Sequence, residues 1–217
     1  MRNPTTGKGF PVRNLMRYLA LAAVVLVLAS GPGRAVTVTA LEFSSSSPLD
    51  PIVGADTSAG WSFMTHQAIT VVALDAYDAT GDGANNVRLY DGSGHVLAQA
   101  TVTNSDPTVG SSVLFHSVAI TPVTLLANTI YYIAEDAINN TTKLYYNVSG
   151  LTTDPSITYL SSVIAIGTGQ NPTSNPYFGT SKDPSEFGPN FQIGSAAVPT
   201  PEPSTFLLGA IGGLMGL

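Results

Sequence analysis

Three aspartates stand close together in the stretch LDAYDATGDG: Asp75, Asp78 and Asp82, with Asp91 following in LYDGSG. Carboxylates spaced among glycines can converge on calcium, which takes about six to eight oxygen ligands. Asp75, Asp78 and Asp82 are therefore candidate metal ligands, and calcium is the one candidate cofactor. Their order is not that of an EF-hand loop, which needs D-x-D-x-D-G and a later Glu. Asp and Gly are also ordinary turn formers, and that reading competes with the first. The histidines His66, His95 and His116 lie far apart, with no H-x-H or H-E-x-x-H pattern, so zinc has little support. Gly92-Ser93-Gly94-His95 is the nearest string to a nucleophile elbow and lacks its G-x-S-x-G spacing. Glu135-Asp136 could supply half of a glycosidase pair, but such pairs form in space and two sequence neighbours do not define one. No catalytic residue is expected, and a hydrolase is the weakest of the functional readings.

The tyrosine doublets Tyr131-Tyr132 and Tyr145-Tyr146 carry a geometric message. Successive strand residues face opposite sides, so one ring of each pair should point outward. With Leu144, Tyr146 and Val148 on one face, Tyr145 and Asn147 form the expected outward pair. An exposed ring can stack on a sugar, which makes Tyr145 a candidate sugar-stacking residue. Plain sheet packing is the alternative.

The elements that must hold these residues read as short strands. The run from Ile69 is apolar on both alternating sets, as in a strand covered on both faces. Val96, Ala98, Ala100 and Val102 alternate with Gln99, Thr101 and Thr103, the pattern of a half-buried strand. Asp91-Gly92 before them is a hairpin signal, because Gly supplies the positive φ of a tight turn. Further strands are expected over 36–43, 61–64, 86–91, 113–120, 123–126, 130–135, 143–148, 156–166 and 190–193, with Pro122 read as a strand boundary or an edge. About ten strands at this spacing, without a 3.6-residue period, predict an all-β, antiparallel sandwich, jelly-roll-like in one variant. One such domain is expected over 36–197.

Composition narrows the setting. The 217 residues include no cysteine, so neither disulfides nor thiolate chemistry are available. Five of the eight basic residues (Arg2, Lys8, Arg13, Arg17 and Arg34) fall in the first 35 positions, where none of the fourteen acidic ones lie. The remainder carries 3 − 14 = −11, a balance that repels nucleic acid and anionic headgroups. The basic segment leads into twelve apolar residues, Tyr18 to Ala29, and then Gly33-Arg34-Ala35, with small residues at the −3 and −1 places before Val36. That is the layout of a secretory signal peptide over 1–35. As a helix, twelve residues cover about 18 Å, short of a hydrocarbon layer of about 30 Å.

At the other end, residues 198–217 read VPTPEPSTFLLGAIGGLMGL. Three alternating prolines extend the chain and expose what lies between them. Pro201, Glu202, Pro203 and Ser204, followed by a Leu/Gly-rich run, resemble the PEP-CTERM sorting signal of Gram-negative bacteria. The resemblance implies recognition and cleavage by an exosortase-type membrane enzyme, transient membrane contact through the tail, and export by exopolysaccharide-producing bacteria. The basic cluster of that signal is not found before Leu217, and the tail is read as a truncated or degenerate form. The body, over most of residues 60–193, resembles an uncharacterised domain that recurs in PEP-CTERM proteins. Carrying that likeness are Trp61-Ser62-Phe63, Ile69-Thr70-Val71, the turn over 75–83, Leu89-Tyr90-Asp91, Gly94 and Val96-Leu97-Ala98. Pro122 to Leu125, Thr129-Ile130-Tyr131 and Gly188-Pro189-Asn190-Phe191 complete it. Asp75 and Asn128 stand where that domain usually has Gly, and it brings no catalytic residues. Together these readings predict an exported, non-enzymatic protein of the cell envelope or extracellular matrix, associated with exopolysaccharide. The alternative is a carbohydrate-binding module, calcium-assisted in one version. Nucleic acid is not an expected partner.

Overall fold

The computed structural model describes residues 37–51, 56–77, 84–137, 142–172 and 187–194. The signal segment, the sorting motif Pro201-Glu202-Pro203-Ser204, and Asp78 and Asp82 lie outside them. The described residues belong to one compact unit, Ala35–Ala197. They contain fourteen strands and no helix. In chain order these are β1 (Thr37–Thr39), β2 (Leu41–Glu42), β3 (Leu49–Pro51), β4 (Thr57–Thr65), β5 (Ile69–Ala76), β6 (Asn85–Tyr90) and β7 (Val96–Val102). They continue with β8 (Thr108–Val109), β9 (Phe115–Leu125), β10 (Ile130–Ala137), β11 (Lys143–Tyr145), β12 (Thr152–Thr153), β13 (Ile157–Ile166) and β14 (Pro189–Gly194).

Two five-stranded sheets, ordered β1-β14-β5-β9-β8 and β13-β4-β10-β6-β7, form an antiparallel sandwich, and β11-β3 and β12-β2 add two short ribbons. The all-β expectation holds. Alternating apolar side chains face between the sheets, with the phase slipping by one residue at the irregularity between Val71 and Ala73: Ile69, Val71 and Leu74 of β5 join Trp61 and Phe63 of β4, Val87 and Leu89 of β6, and Ile133 of β10 in the core. Trp61 ties the two layers together. Its ring stacks on Phe191 of β14 at 5.8 Å, and its Nε1 donates to the Pro189 carbonyl at 2.8 Å. The indole thus buries its area while its polar edge stays satisfied.

Two details depart from the pattern. β9 does not stop at Pro122 but runs through it to Leu125. Val71 pairs with Val123 and Ala73 with Ala119, so the residues between are bulged out of the ladder, where proline's missing N–H costs nothing. In the β6–β7 hairpin the positive φ falls on Gly94, at 84°, rather than on Gly92. Gly60 of β4 is required for a different reason. A Cβ there would meet the Ile133 carbonyl oxygen and lie 2.8 Å from the Ala134 Cα.

Candidate functional site

The outer face of the second sheet carries a polar network. Strand alternation sends Asn86 and Arg88 of β6 outward, between the inward Val87 and Leu89, and sets Gln99 and Thr101 of β7 beside them. From β10, Asp136 projects to the same side. Arg88 Nη1 donates to Asp136 Oδ1 at 2.7 Å, and Asn86 Nδ2 donates to Oδ2 at 3.3 Å. Asn86 Oδ1 accepts from the Thr101 hydroxyl at 2.8 Å. Asn86, Arg88, Gln99, Ala100 and Thr101 line a recess of about 270 Å³.

A strap fixes the far side of this network. After β13 the segment Gly167 to Pro172 folds back over the sheet, starting with the Gly167 amide on the Asp56 carbonyl at 2.7 Å. The Gly169 amide donates to Asp136 Oδ1 at 2.7 Å, and the Gln170 amide donates to the Ser58 hydroxyl oxygen at 3.0 Å. Tyr90 Oη donates to the Gln170 carbonyl at 3.4 Å. Burial alone would push the Asp136 carboxyl up; the Arg88 guanidinium, the Gly169 amide and Asn86 outweigh it and hold the group below the usual carboxylate range. The hydrogen bond to Asp136 raises Arg88 in turn. The pair is thus a fixed, charge-balanced clasp whose open edge is the recess.

The residues singled out by sequence go to other places. Asp75 sits on the outer side of β5, fully buried, where it accepts a hydrogen bond from Gln192 Nε2 of β14. Burial pushes its carboxyl up to about 6, against the opposing effect of the Ser117 and Gln192 side chains. Its Oδ1 has no hydrogen-bond partner of good geometry. Gln192 and Ser117 also line an open, largely apolar groove of about 540 Å³. No group of three His, Asp or Glu side chains able to hold a metal ion occurs among the described residues. Asp91 serves its turn, with Oδ1 accepting from the Ser93 and His95 amides at 2.8 and 2.9 Å. The three histidines stay separate: His66 meets Thr158, His95 meets Asp91, and His116 meets the Asp106 carbonyl.

Tyr145 is a correction. The outward orientation expected for it does not hold: only 6% of it is exposed, and its ring packs 4.5 Å from Tyr77 and 4.9 Å from Phe43. Leu144 beside it is buried too, because both sides of β11 are covered beyond the exposed Lys143. Burial first, then the Tyr77 hydroxyl, drive the Tyr145 phenol upward. A ring so placed cannot stack on a sugar. The other doublet does alternate, with Tyr131 in the core and Tyr132 half-exposed on the outer face. Glu135 and Asp136 likewise divide, Glu135 inward and Asp136 onto Arg88, so they do not form a carboxylate pair with each other.

Sequence reasoning missed the Arg88 clasp. Its signal was present: Arg88 is the only arginine after position 34, set between Val87 and Leu89 in an alternating strand. A charge in that position must face outward and requires a partner wherever the face is covered.

Residues 51–181, more than half of the chain, match the family described as Domain of unknown function (DUF4082). The chain belongs to the DUF4082 family. The matched span holds the whole clasp and its recess, from Ser58 to Gln170. It ends before β14, so Trp61's partners Pro189 and Phe191, and Gln192, stand outside the DUF4082 match. Among curated proteins none matches the chain significantly.

Proposed function

We propose that this DUF4082 protein is exported to the cell envelope or extracellular matrix, carries out no catalysis, and contacts exopolysaccharide through the outer face of its second sheet. The observation that supports this reading is the recess lined by Asn86, Arg88, Gln99 and Thr101. Planar amides, a guanidinium and a hydroxyl presented together are the groups that hydrogen-bond to neighbouring sugar hydroxyls. Because Asp136 already balances Arg88, the recess offers directed donors and acceptors rather than net charge. The secretory layout before Val36 and the PEP-CTERM-like residues Pro201 to Ser204 fit delivery through an exosortase-type enzyme, with transient membrane contact by the tail. A free-standing carbohydrate-binding module, with or without calcium, uses the same face.

The test is binding of the purified protein to an array of bacterial exopolysaccharides, wild type against Gln99→Ala and Thr101→Ala. Both residues are exposed, so the variants should keep the wild-type melting temperature while sugar binding falls about tenfold, as losing one or two net hydrogen bonds implies. No binding by the wild type to any glycan would overturn the reading. Export is checked separately by N-terminal sequencing of the secreted protein, which should begin near Val36.

A further inference from the structure

On the outer face of the second sheet the β6–β7 ladder pairs Arg88 with Gln99 and Asn86 with Thr101. Partners across a ladder stand about 5 Å apart, and rows two residues apart along a strand about 7 Å. Four polar side chains thus mark the corners of a patch with the footprint of one sugar ring. The recess that they line, about 270 Å³, is also small, below the roughly 300 Å³ at which pockets for larger ligands begin.

The charges at this recess are matched within the protein. Asp136 accepts from four donors: Arg88 Nη1 and the Gly169 amide, both at 2.7 Å, and Ser58 Oγ and Asn86 Nδ2, both at 3.3 Å. Against the upward push of burial, that set holds the carboxyl below the usual carboxylate range. It therefore stays ionised at neutral pH and cancels the guanidinium beside it. Among the described residues the one other Lys or Arg is Lys143, on β11 in a separate two-stranded sheet. Beyond its first 35 residues the chain carries 3 − 14 = −11, which repels an incoming anion.

The groups open to a ligand have the wrong polarity for an anion as well. Thr101 spends its one hydrogen on Asn86 Oδ1, so its oxygen has only lone pairs left to offer. The exposed Gln99 amide offers an acceptor beside a donor. A sugar hydroxyl both donates and accepts, and can answer each of these groups. A carboxylate only accepts. It would set its lone pairs against those of Thr101 and bring a second anion to the Arg88–Asp136 pair.

Given the outer-face contact proposed above, on which this step depends, we propose that the recess holds one uncharged sugar unit and rejects a uronic acid in the same place. The partner is then a neutral exopolysaccharide rather than an acidic one.

The test measures binding of the full chain to three matched pairs: a glucan, a galactan and a mannan with free C6 hydroxyls, each native and with C6 oxidised to a carboxylate. Calorimetry is run at about 50 mM and about 500 mM sodium chloride, which brackets strong and weak screening. The neutral member of at least one pair should bind. Its uronate should bind at least about tenfold more weakly at low salt, the loss that one unmatched acceptor implies. Between the two salts the neutral affinity should change less than about twofold, while screening raises that of the uronate. Thr101→Val is near-isosteric at an exposed position, so it should fold as wild type. It should weaken the neutral member about fivefold and leave the uronate unchanged or tighter. The proposal is overturned by a uronate bound as tightly as its neutral partner, by a neutral affinity that falls steeply with salt, or by equal losses on both ligands in Thr101→Val. Binding to no member of any pair takes down the outer-face contact itself, and this inference with it.

Discussion

Asp75→Asn should stabilise this protein, and should do so only above acidic pH. The Asp75 carboxyl is fully buried, and burial pushes it from 3.8 up to about 6. Below pH 3.8 both folded and unfolded chains keep the proton, and the group has no effect on folding. As pH rises from there toward 6, the unfolded chain gives up its proton while the folded one holds it, so stability falls. Above about pH 7 the loss is complete. At about 1.4 kcal/mol per pH unit, the gap between 3.8 and about 6 amounts to about 3 kcal/mol. Asparagine keeps an oxygen to accept from Gln192 and brings an N–H that can donate to Ser117, with no charge to bury. Urea unfolding of wild type and variant, taken from pH 3.5 to pH 8, isolates this group from the other thirteen acidic residues, because their contributions cancel in the difference. The difference should be near zero at pH 3.5, grow through pH 5, and level off at up to about 3 kcal/mol in favour of the variant. A difference that stays constant with pH, or that favours wild type at pH 8, refutes the argument. Asp136 must run the other way: its carboxyl is held low, so its contribution is present at neutral pH and is lost as pH falls into the acid range.

Gly60→Ala should be severe, about 3 kcal/mol or more, because the new methyl meets the rigid backbone of Ile133 and Ala134 rather than a side chain that can move. Denaturant unfolding checks it, and a loss below about 1 kcal/mol would mean that β4 and β10 can separate at little cost. Tyr145→Ala should cost about 3 kcal/mol and Tyr145→Phe under about 1, the pattern of a packed ring, while neither changes sugar binding directly. Loss of binding in Tyr145→Phe at unchanged melting temperature would contradict the buried placement.

The sandwich was legible because its signal is local. Period-two alternation over Ala98 to Val102 and at the Tyr131-Tyr132 step needs no knowledge of the partner strand and matches the observed faces, whereas Val96, expected on the buried side, is 49% exposed beyond the register shift between Leu89 and Tyr90. The same rule failed at Tyr145, since alternation sorts residues into two faces but does not say that either face is wet. Buried on both sides, β11 hides Leu144 and Tyr145 alike. Of the two readings of Pro122, the strand boundary does not hold, since β9 runs on to Leu125. Proline is excluded from a hydrogen-bonded ladder position, and the bulge in β9 removes that position without ending the strand.

The candidate site was not legible because nothing in it is local. Asp136 finds Arg88 at a separation of 48 residues, Ser58 at 78 and the Gly169 amide at 33. Adjacent carboxylates at Glu135 and Asp136 invite a reading as a catalytic pair, yet the strand period that made β10 recognisable separates them. Neighbours on a strand point through opposite faces of the sheet, so Asp136 reaches the outer clasp and Glu135 the sealed interior. Each must then be balanced by what its own face provides. Outside, a guanidinium and a strap amide do that for Asp136. Inside, Glu135 lies fully buried one row from Asn85 and Thr57 and takes no part in the clasp.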